Sequence, residues 1–195
     1  GRDDMADVLT IDFSNGNPIP SHGLVVNGGS GNVDDILVLR NADFIRVQHT
    51  FTPTGSSAII LDDGTLSAIN VTDIEIVEDR LSASDRLFTF TSAADHVTVS
   101  DADPTGDGLT AISREGSMTV VQFVDPAEQV SIRPGDGNDH VEVVSVDPSL
   151  ASRLVIDGGD GNDRLDAAGA GVPTTLLGGR GHDLLIGSSE ADKLN

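Results

Sequence analysis

Short alternations of apolar and polar residues follow aspartates along most of the chain. After each such aspartate, every second residue is apolar, as in Asp95–Val99, Asp139–Val143 and Asp163–Ala167. This period of two is typical of short β-strands with one buried face. Convincing helical periodicity is nearly absent. The pattern therefore predicts an all-β protein.

The spacing of these aspartates indicates how the strands are arranged. Asp139, Asp163 and Asp183 follow one another at intervals of 24 and 20 residues, and Asp95 precedes Asp139 by 44, which we interpret as two units of 22. Short strands separated by glycine turns at such intervals predict the stacked coils of a parallel β-solenoid (a β-helix or β-roll). A β-sandwich with glycine-rich turns appended is the alternative, because turn signals at intervals of about 8–12 residues are also present.

The two parts of the chain differ in regularity. Residues 1–81 have longer predicted strands and more Thr, Ser and Asn, whereas the regular spacing lies in residues 82–195. We expect irregular solenoid coils in residues 1–81 and coils with metal-binding turns in residues 82–195. A single continuous domain is the alternative, because a solenoid can vary its coils without interrupting its core.

Three windows in the C-terminal part align closely. They are PGDGNDHVE at Pro134–Glu142, GGDGNDRLD at Gly158–Asp166 and GGRGHDLLI at Gly178–Ile186. A fourth, Gly187–Asn195, keeps only the first glycine, the aspartate and the leucine. Glycine reaches the backbone angles that turn carbonyl oxygens inward, and aspartate supplies negative charge. Ordinary β-turns would use similar residues, but three windows in register favour a site for calcium, which takes about six to eight oxygen ligands.

The windows resemble the nonapeptide repeat of the RTX (haemolysin-type) calcium-binding proteins, whose pattern is G-G-x-G-x-D-x-U-x with U apolar. The resemblance implies that the first six residues form a calcium-binding turn and the last three a strand. It also implies that the chain is a segment of a large bacterial extracellular or cell-surface repeat protein. The residues that the resemblance assigns to Ca²⁺ are Gly135, Asp136, Gly137 and Asp139, then Gly158, Gly159, Asp160, Gly161 and Asp163, then Gly178, Gly179, Gly181 and Asp183, and finally Asp192.

The intervals depart from the tandem nonapeptides of that family. Only the third and fourth windows are adjacent, so intervals of 24 and 20 residues predict one calcium turn per coil. One turn offers too few oxygens for calcium. We therefore expect each ion to lie between the turns of successive coils, which stack about 4.8 Å apart.

The charge of the chain excludes several classes of partner. Eleven basic residues stand against 32 acidic ones, which gives a net charge of -21. Such a chain has no basic surface for nucleic acid or for anionic membranes. It also has no apolar run of about 18 residues, so membrane insertion is not expected. Cations are the natural partners, together with neighbouring repeat domains of the same chain or further copies associating end to end.

These observations predict a calcium-binding structural or adhesive module of a secreted or cell-surface protein, with folding coupled to Ca²⁺ and no enzymatic activity. One alternative is an accessory RTX module of a secreted enzyme. Another is a β-helix acting on acidic polysaccharide, for which Arg114 and Arg133 are the basic candidates, although salt pairing on an acidic surface is the simpler role. His96 and His140 occupy the same position after an aspartate, and we expect them to face solvent rather than bind metal.

Overall fold

The computed structural model describes residues 5–29, 33–102 and 104–195. Within these ranges all regular elements are β-strands, so the all-β prediction is confirmed. No helix long and apolar enough to cross a membrane is found there. The strands of the first part are β1 (Val8–Asp12), β2 (Leu24–Asn27), β3 (Ile36–Phe51), β4 (Ser57–Asp62), β5 (Leu66–Thr72), β6 (Ile76–Thr89), β7 (His96–Asp101), β8 (Leu109–Arg114) and β9 (Val120–Val124). Those of the second part are β10 (Gln129–Arg133), β11 (Gly135–Asp136), β12 (His140–Val143), β13 (Arg153–Asp157), β14 (Gly159–Asp160), β15 (Arg164–Asp166), β16 (Thr174–Leu177), β17 (Leu184–Ile186) and β18 (Lys193–Leu194).

Sixteen strands form one large, mostly parallel sheet, while β11 and β14 pair separately. Two rows of parallel strands organise its C-terminal part. The first row is β7, β12, β15 and β17, and the second is the end of β6 followed by β10, β13, β16 and β18. The chain alternates between the rows. It passes from the second to the first through four turns that each end on an aspartate, here called the aspartate turns: residues 90–95, 134–139, 158–163 and 178–183.

The register of the first row explains the sequence intervals. His140 pairs with Arg164, and Arg164 pairs with Leu184, in agreement with the intervals of 24 and 20 residues. The interpretation of the 44-residue interval as two units is wrong, because His96 pairs directly with His140. Among the additional residues, β8 pairs antiparallel with β7, and β9 pairs antiparallel with β8. β9 also pairs in parallel with the beginning of β6, so these two strands lie between the two rows in the sheet.

The first part of the sheet is built on two long strands. β3 and β6 pair in parallel along their length, with a register shift between Arg40 and Asp43. The beginning of β6 pairs with β9 and its end with β10. β4 and β5 add an antiparallel extension to β3. Ser82, where the regular part of the sequence was expected to begin, therefore lies inside one continuous strand.

The core consists of aliphatic side chains aligned across neighbouring strands. Val97, Val141 and Leu165 are register partners in the first row and are fully buried. Ile156 and Leu176 occupy equivalent positions in the second row. The inward residues of both rows belong to one hydrophobic cluster. Each such side chain contributes about 1.5–3 kcal/mol when fully buried, so the rows hold the aspartate turns in fixed register.

Candidate metal centre

The turn glycines allow successive aspartate turns to stack closely. Gly161 and Gly181 have φ angles of 151° and 134°, which side chains rarely tolerate. A Cβ atom on Gly161 would lie 1.4 Å from the carbonyl oxygen of Gly137, and one on Gly181 would lie 1.6 Å from that of Gly161. Only glycine fits at these positions, because the carbonyl oxygen of the preceding turn occupies the space of a side chain.

The final aspartates of the four turns form a hydrogen-bonded column, here called the aspartate column. The N–H of Asp95 donates to Oδ1 of Asp139 at 2.7 Å. The N–H of Asp139 donates to Oδ1 of Asp163 at 2.9 Å, and the N–H of Asp163 donates to Oδ1 of Asp183 at 3.0 Å. The turns thus bring three of the predicted metal-binding carboxylates, Asp139, Asp163 and Asp183, together with Asp95.

Two carboxylates of the column lack a partner for their second oxygen. Asp139 and Asp163 are each 2% exposed, and Oδ2 of each is buried without a hydrogen-bond partner among the described residues. Burial and the neighbouring charges of Asp163 and Asp95 raise the pKa of Asp139 to about 6, against the opposing effect of its backbone hydrogen bond. Burial likewise raises the pKa of Asp163, with a contribution from Asp183. Ionised and unpaired, such groups oppose folding.

A carbonyl oxygen of the next turn lies close to one of these unpartnered carboxylates. A Cβ on Gly158 would stand 2.4 Å from Oδ2 of Asp163 and 2.7 Å from the carbonyl oxygen of Gly178. Oxygens from two successive turns therefore border the same small space. Carboxylate and carbonyl oxygens are the ligands that Ca²⁺ prefers, so the residues present fit this ion.

Asp95, at one end of the column, is neutralised by the protein itself. Its Oδ1 forms an ion pair with Nε of Arg114, and its Oδ2 accepts hydrogen bonds from the N–H and hydroxyl of Thr91 at 2.8 and 2.9 Å. Sequence reasoning did not include these residues in the site. The alternation after Asp95 matches that after Asp139, which was a usable signal, but the turn at residues 90–95 contains no glycine.

The remaining predicted residues of the first three windows occupy other places. Asp136 and Asp160 are exposed, and Oδ2 of Asp160 lies 3.2 Å from Nη1 of Arg180. Their neighbours Gly135 and Gly159 are paired in β11 and β14. In the third window, Gly178 lies next to Asp183 of the same turn, since a Cβ on Gly178 would stand 2.4 Å from Oδ2 of Asp183. A Cβ on Gly179 would stand 2.0 Å from the carbonyl oxygen of Gly159 in the preceding turn.

Asp192 lies apart from the aspartate column. Its turn leads from the first row to the second, in the opposite direction to the aspartate turns. Oδ1 of Asp192 accepts hydrogen bonds from the N–H and hydroxyl of Thr174 at 2.9 and 2.8 Å and from the hydroxyl of Ser188 at 2.9 Å. Burial alone would raise the pKa of Asp192, but these hydrogen bonds outweigh it and lower the pKa. Protein donors thus stabilise this carboxylate.

Comparison of the chain with protein-family models, curated proteins and solved structures finds no match. The resemblance of the windows to the RTX nonapeptide therefore stays a prediction from the sequence.

Proposed function

We propose that the chain is a calcium-dependent structural module, a parallel β-solenoid segment of a secreted or cell-surface bacterial protein. The observation that carries this proposal is the pair of buried, unpartnered Oδ2 atoms on Asp139 and Asp163. The alternation of the chain between two parallel rows supports the solenoid, because strands in a β-sandwich are mainly antiparallel.

The column explains how folding and metal binding would be coupled. Asp139 and Asp163 would hold Ca²⁺ together with carbonyl oxygens of the stacked turns, and the ion would supply the positive charge that these carboxylates lack. On Asp95, at the end of the column, the guanidinium of Arg114 supplies that charge at Oδ1. Without a cation, the buried charges oppose the stacking of the turns that the glycines permit.

The expected energy is large enough to control folding of the turns. An ion present at about 100 times its dissociation constant stabilises a protein by about 2.7 kcal/mol per site, against a typical total stability of about 5–15 kcal/mol. Extracellular calcium modules bind with dissociation constants of about 10⁻⁴–10⁻³ M. Such a module would order its turns outside the cell and leave them loose at cytosolic calcium levels.

The variant Asp163→Asn provides the test. Asparagine keeps an Oδ1 that can accept the N–H of Asp139, but it removes the charge and replaces Oδ2 with a donor. Melting temperatures are measured in chelator and in saturating calcium. We expect the variant to melt above the wild type in chelator, because an unpaired buried charge is gone, and below it in calcium, because a ligand is gone.

Asp63→Asn is the matched control. Asp63 is exposed and accepts a hydrogen bond from the N–H of Thr65 in the turn between β4 and β5, so this variant loses the same charge far from the column. It should keep the wild-type calcium shift. An equal calcium shift in wild type and in Asp163→Asn, or no shift in either, would contradict the proposal.

A further inference from the structure

The outer face of the first row carries two stacked imidazoles. His96 on β7 and His140 on β12 are register partners, and their rings are 4.5 Å apart between centroids, with planes at 14°. The following residues, Val97 and Val141, are fully buried. Because side chains alternate along a strand, both histidines lie on the face opposite the core. The direct pairing of strands 44 residues apart in sequence brings them together.

Two carboxylates flank this pair. Glu142 follows His140 by two positions and so shares its face of β12. One ligand atom from each of His96, His140 and Glu142 lies within 4.8 Å of the other two. On the other side, Oε2 of Glu115 is 3.1 Å from Nδ1 of His96. The group combines two ring nitrogens with carboxylate oxygens at the surface of the sheet.

The contact with Glu115 determines which nitrogen of His96 is free. A carboxylate accepts hydrogen bonds, so Nδ1 carries the proton and the lone pair of the neutral ring is on Nε2. Nε2 is buried from solvent and has no hydrogen-bond partner among the described residues. A histidine whose second nitrogen donates to a carboxylate is the usual arrangement of a metal ligand, because that hydrogen bond orients the ring and makes it more basic.

We propose that His96, His140 and Glu142 bind a first-row transition-metal ion such as Zn²⁺, with Glu115 as a positioning residue. Zinc accepts imidazole nitrogen and carboxylate oxygen at about 2.0–2.2 Å and keeps an open position where only three protein ligands are present. The three ligand atoms lie within 4.8 Å of one another, so binding would require the side chains to rotate on fixed strands until each atom reaches this distance from the ion. Calcium is excluded because it needs about six to eight oxygens, so this site is chemically distinct from the aspartate column.

An ion can reach the group from solvent. The group borders an open depression of the surface whose lining residues are Ala94, Asp95, His96, Glu115, Asn138 and His140. Asp95, one of these lining residues, is already paired with Arg114. The imidazoles of His96 and His140 border the depression, and Glu142 lies on the same face of β12 as His140. The proposal does not depend on calcium binding, and its test is carried out with calcium present in excess.

The test is calorimetric titration of zinc chloride into the chain in saturating calcium chloride. We expect one Zn²⁺ per chain, no binding at this site in His96→Ala or His140→Ala, and affinity reduced by about 10–100-fold in Glu115→Gln. His182→Ala is the matched control, because His182 is exposed in the turn before β17. It should bind zinc as the wild type does.

A second measurement avoids dependence on the folding of the variants. Zinc added to the wild-type chain should shift the imidazole resonances of His96 and His140 together, with the same apparent affinity as the calorimetric titration, and leave those of His182 unchanged. Absence of zinc binding by the wild type overturns the proposal. So does binding that survives both His96→Ala and His140→Ala. An unchanged affinity in Glu115→Gln overturns the positioning role.

Discussion

Asp79 in β6 and Asp139 and Asp163 in the aspartate column are all buried, but their charges are compensated in different ways. In β6, Asp79 is fully buried, forms an ion pair with Nη1 of Arg86, and lies 2.9 Å from Nε2 of His49. Burial acts to raise the pKa of Asp79, but the charge of Arg86 and the hydrogen bond with His49 outweigh it and lower the pKa. In the aspartate column, Asp139 and Asp163 accept hydrogen bonds only from backbone N–H groups among the described residues, and their pKa values are raised.

This difference shows which buried carboxylates have a cation within the protein and which would need one from solution. Arg86 is itself completely buried, and its Nε donates to the carbonyl of Val124 at 2.9 Å, so the charge of Asp79 is compensated by a cation of the protein itself. Asp95 belongs to the column but has Arg114, and so resembles Asp79 in its chemistry. A buried carboxylate that has no internal cation and an oxygen without a hydrogen-bond partner among the described residues is the feature that makes the turns of Asp139 and Asp163 candidates for Ca²⁺.

The largest effect should come from breaking the ion pair of Asp79. Arg86→Met leaves the charge of Asp79 buried without its ion-pair partner, and removing one member of a buried pair costs about 3–5 kcal/mol. Urea denaturation should show this loss equally in calcium and in chelator. The double variant Arg86→Met/Asp79→Leu should recover much of the stability, because apolar groups can replace a buried ion pair at little cost. Recovery of the stability of Arg86→Met in calcium would contradict the conclusion that the pairing of Asp79 is independent of the metal.

The next effect should come from making Asp95 resemble Asp139. Arg114→Met removes a hydrogen bond to a charged group and should cost about 1.5–3 kcal/mol in chelator. Saturating calcium should restore part of this loss, because Asp95 would then offer an uncompensated carboxylate next to Asp139. Arg164→Met is the control: Arg164 pairs with Asp166 at 2.6 Å and is 41% exposed in its side chain, so its loss should cost about 0–1 kcal/mol, with no dependence on calcium.

A smaller effect should appear in the pH dependence of the metal-free chain. The pKa of Asp139 is raised from 3.8 to about 6 on folding, so the folded protein holds this proton more tightly than the unfolded one. The contribution of this proton to the free energy of unfolding is therefore fully present below about pH 3.8 and is lost as pH rises through about 6.

Melting temperatures in chelator should show this loss in the wild type and a flatter profile over the same interval in Asp139→Asn. In saturating calcium the sign should reverse, because the carboxylate must be ionised to bind the metal. Parallel profiles for the two proteins in chelator would count against an unpaired charge at Asp139.

The smallest effect should come from the turn before β18, where hydrogen bonds from the protein stabilise the carboxylate of Asp192. Ser188→Ala removes one of three hydrogen bonds to Asp192 and should cost about 0.5–1.5 kcal/mol. The loss should be the same with and without calcium, because Thr174 still donates to the carboxylate. Thermal unfolding measures both values. A reduced calcium shift in this variant would place Asp192 among the metal ligands.

Several features of the fold could be predicted because their signals are local. Alternation around Val141 and Leu165 indicates strands with one buried face, and the structure buries both residues. Repeated glycines before Asp139 and Asp163 gave the correct interval of 24 residues between paired strands. The alternation that follows an aspartate would also place Leu87, two residues after Asp85, in the core. This prediction is wrong, because Arg86 and Phe88 are buried there while Leu87 is only partly buried.

The phase of this alternation follows from the partners of Arg86. Local rules place an arginine outward, since charged side chains are rarely buried unless paired. Here Arg86 pairs with Asp79 of the same strand, and its Nε donates to the carbonyl of Val124 in another strand. The adjacency of His96 and His140 was missed for a related reason. An interval of 44 residues fits two coils as well as one coil with two added strands, and pairing partners decide between them.

The sequence alone determined the type of secondary structure and the positions of the glycines and aspartates in each turn, because alternation and backbone freedom act over a few residues. The tertiary structure decided which aspartates meet, which have a cation and which do not. Arg114 reaches Asp95 from another strand, whereas no basic side chain pairs with Asp139 or Asp163 among the described residues. Neutralisation of a buried charge depends on distance in space, and strand pairing across the sheet sets that distance.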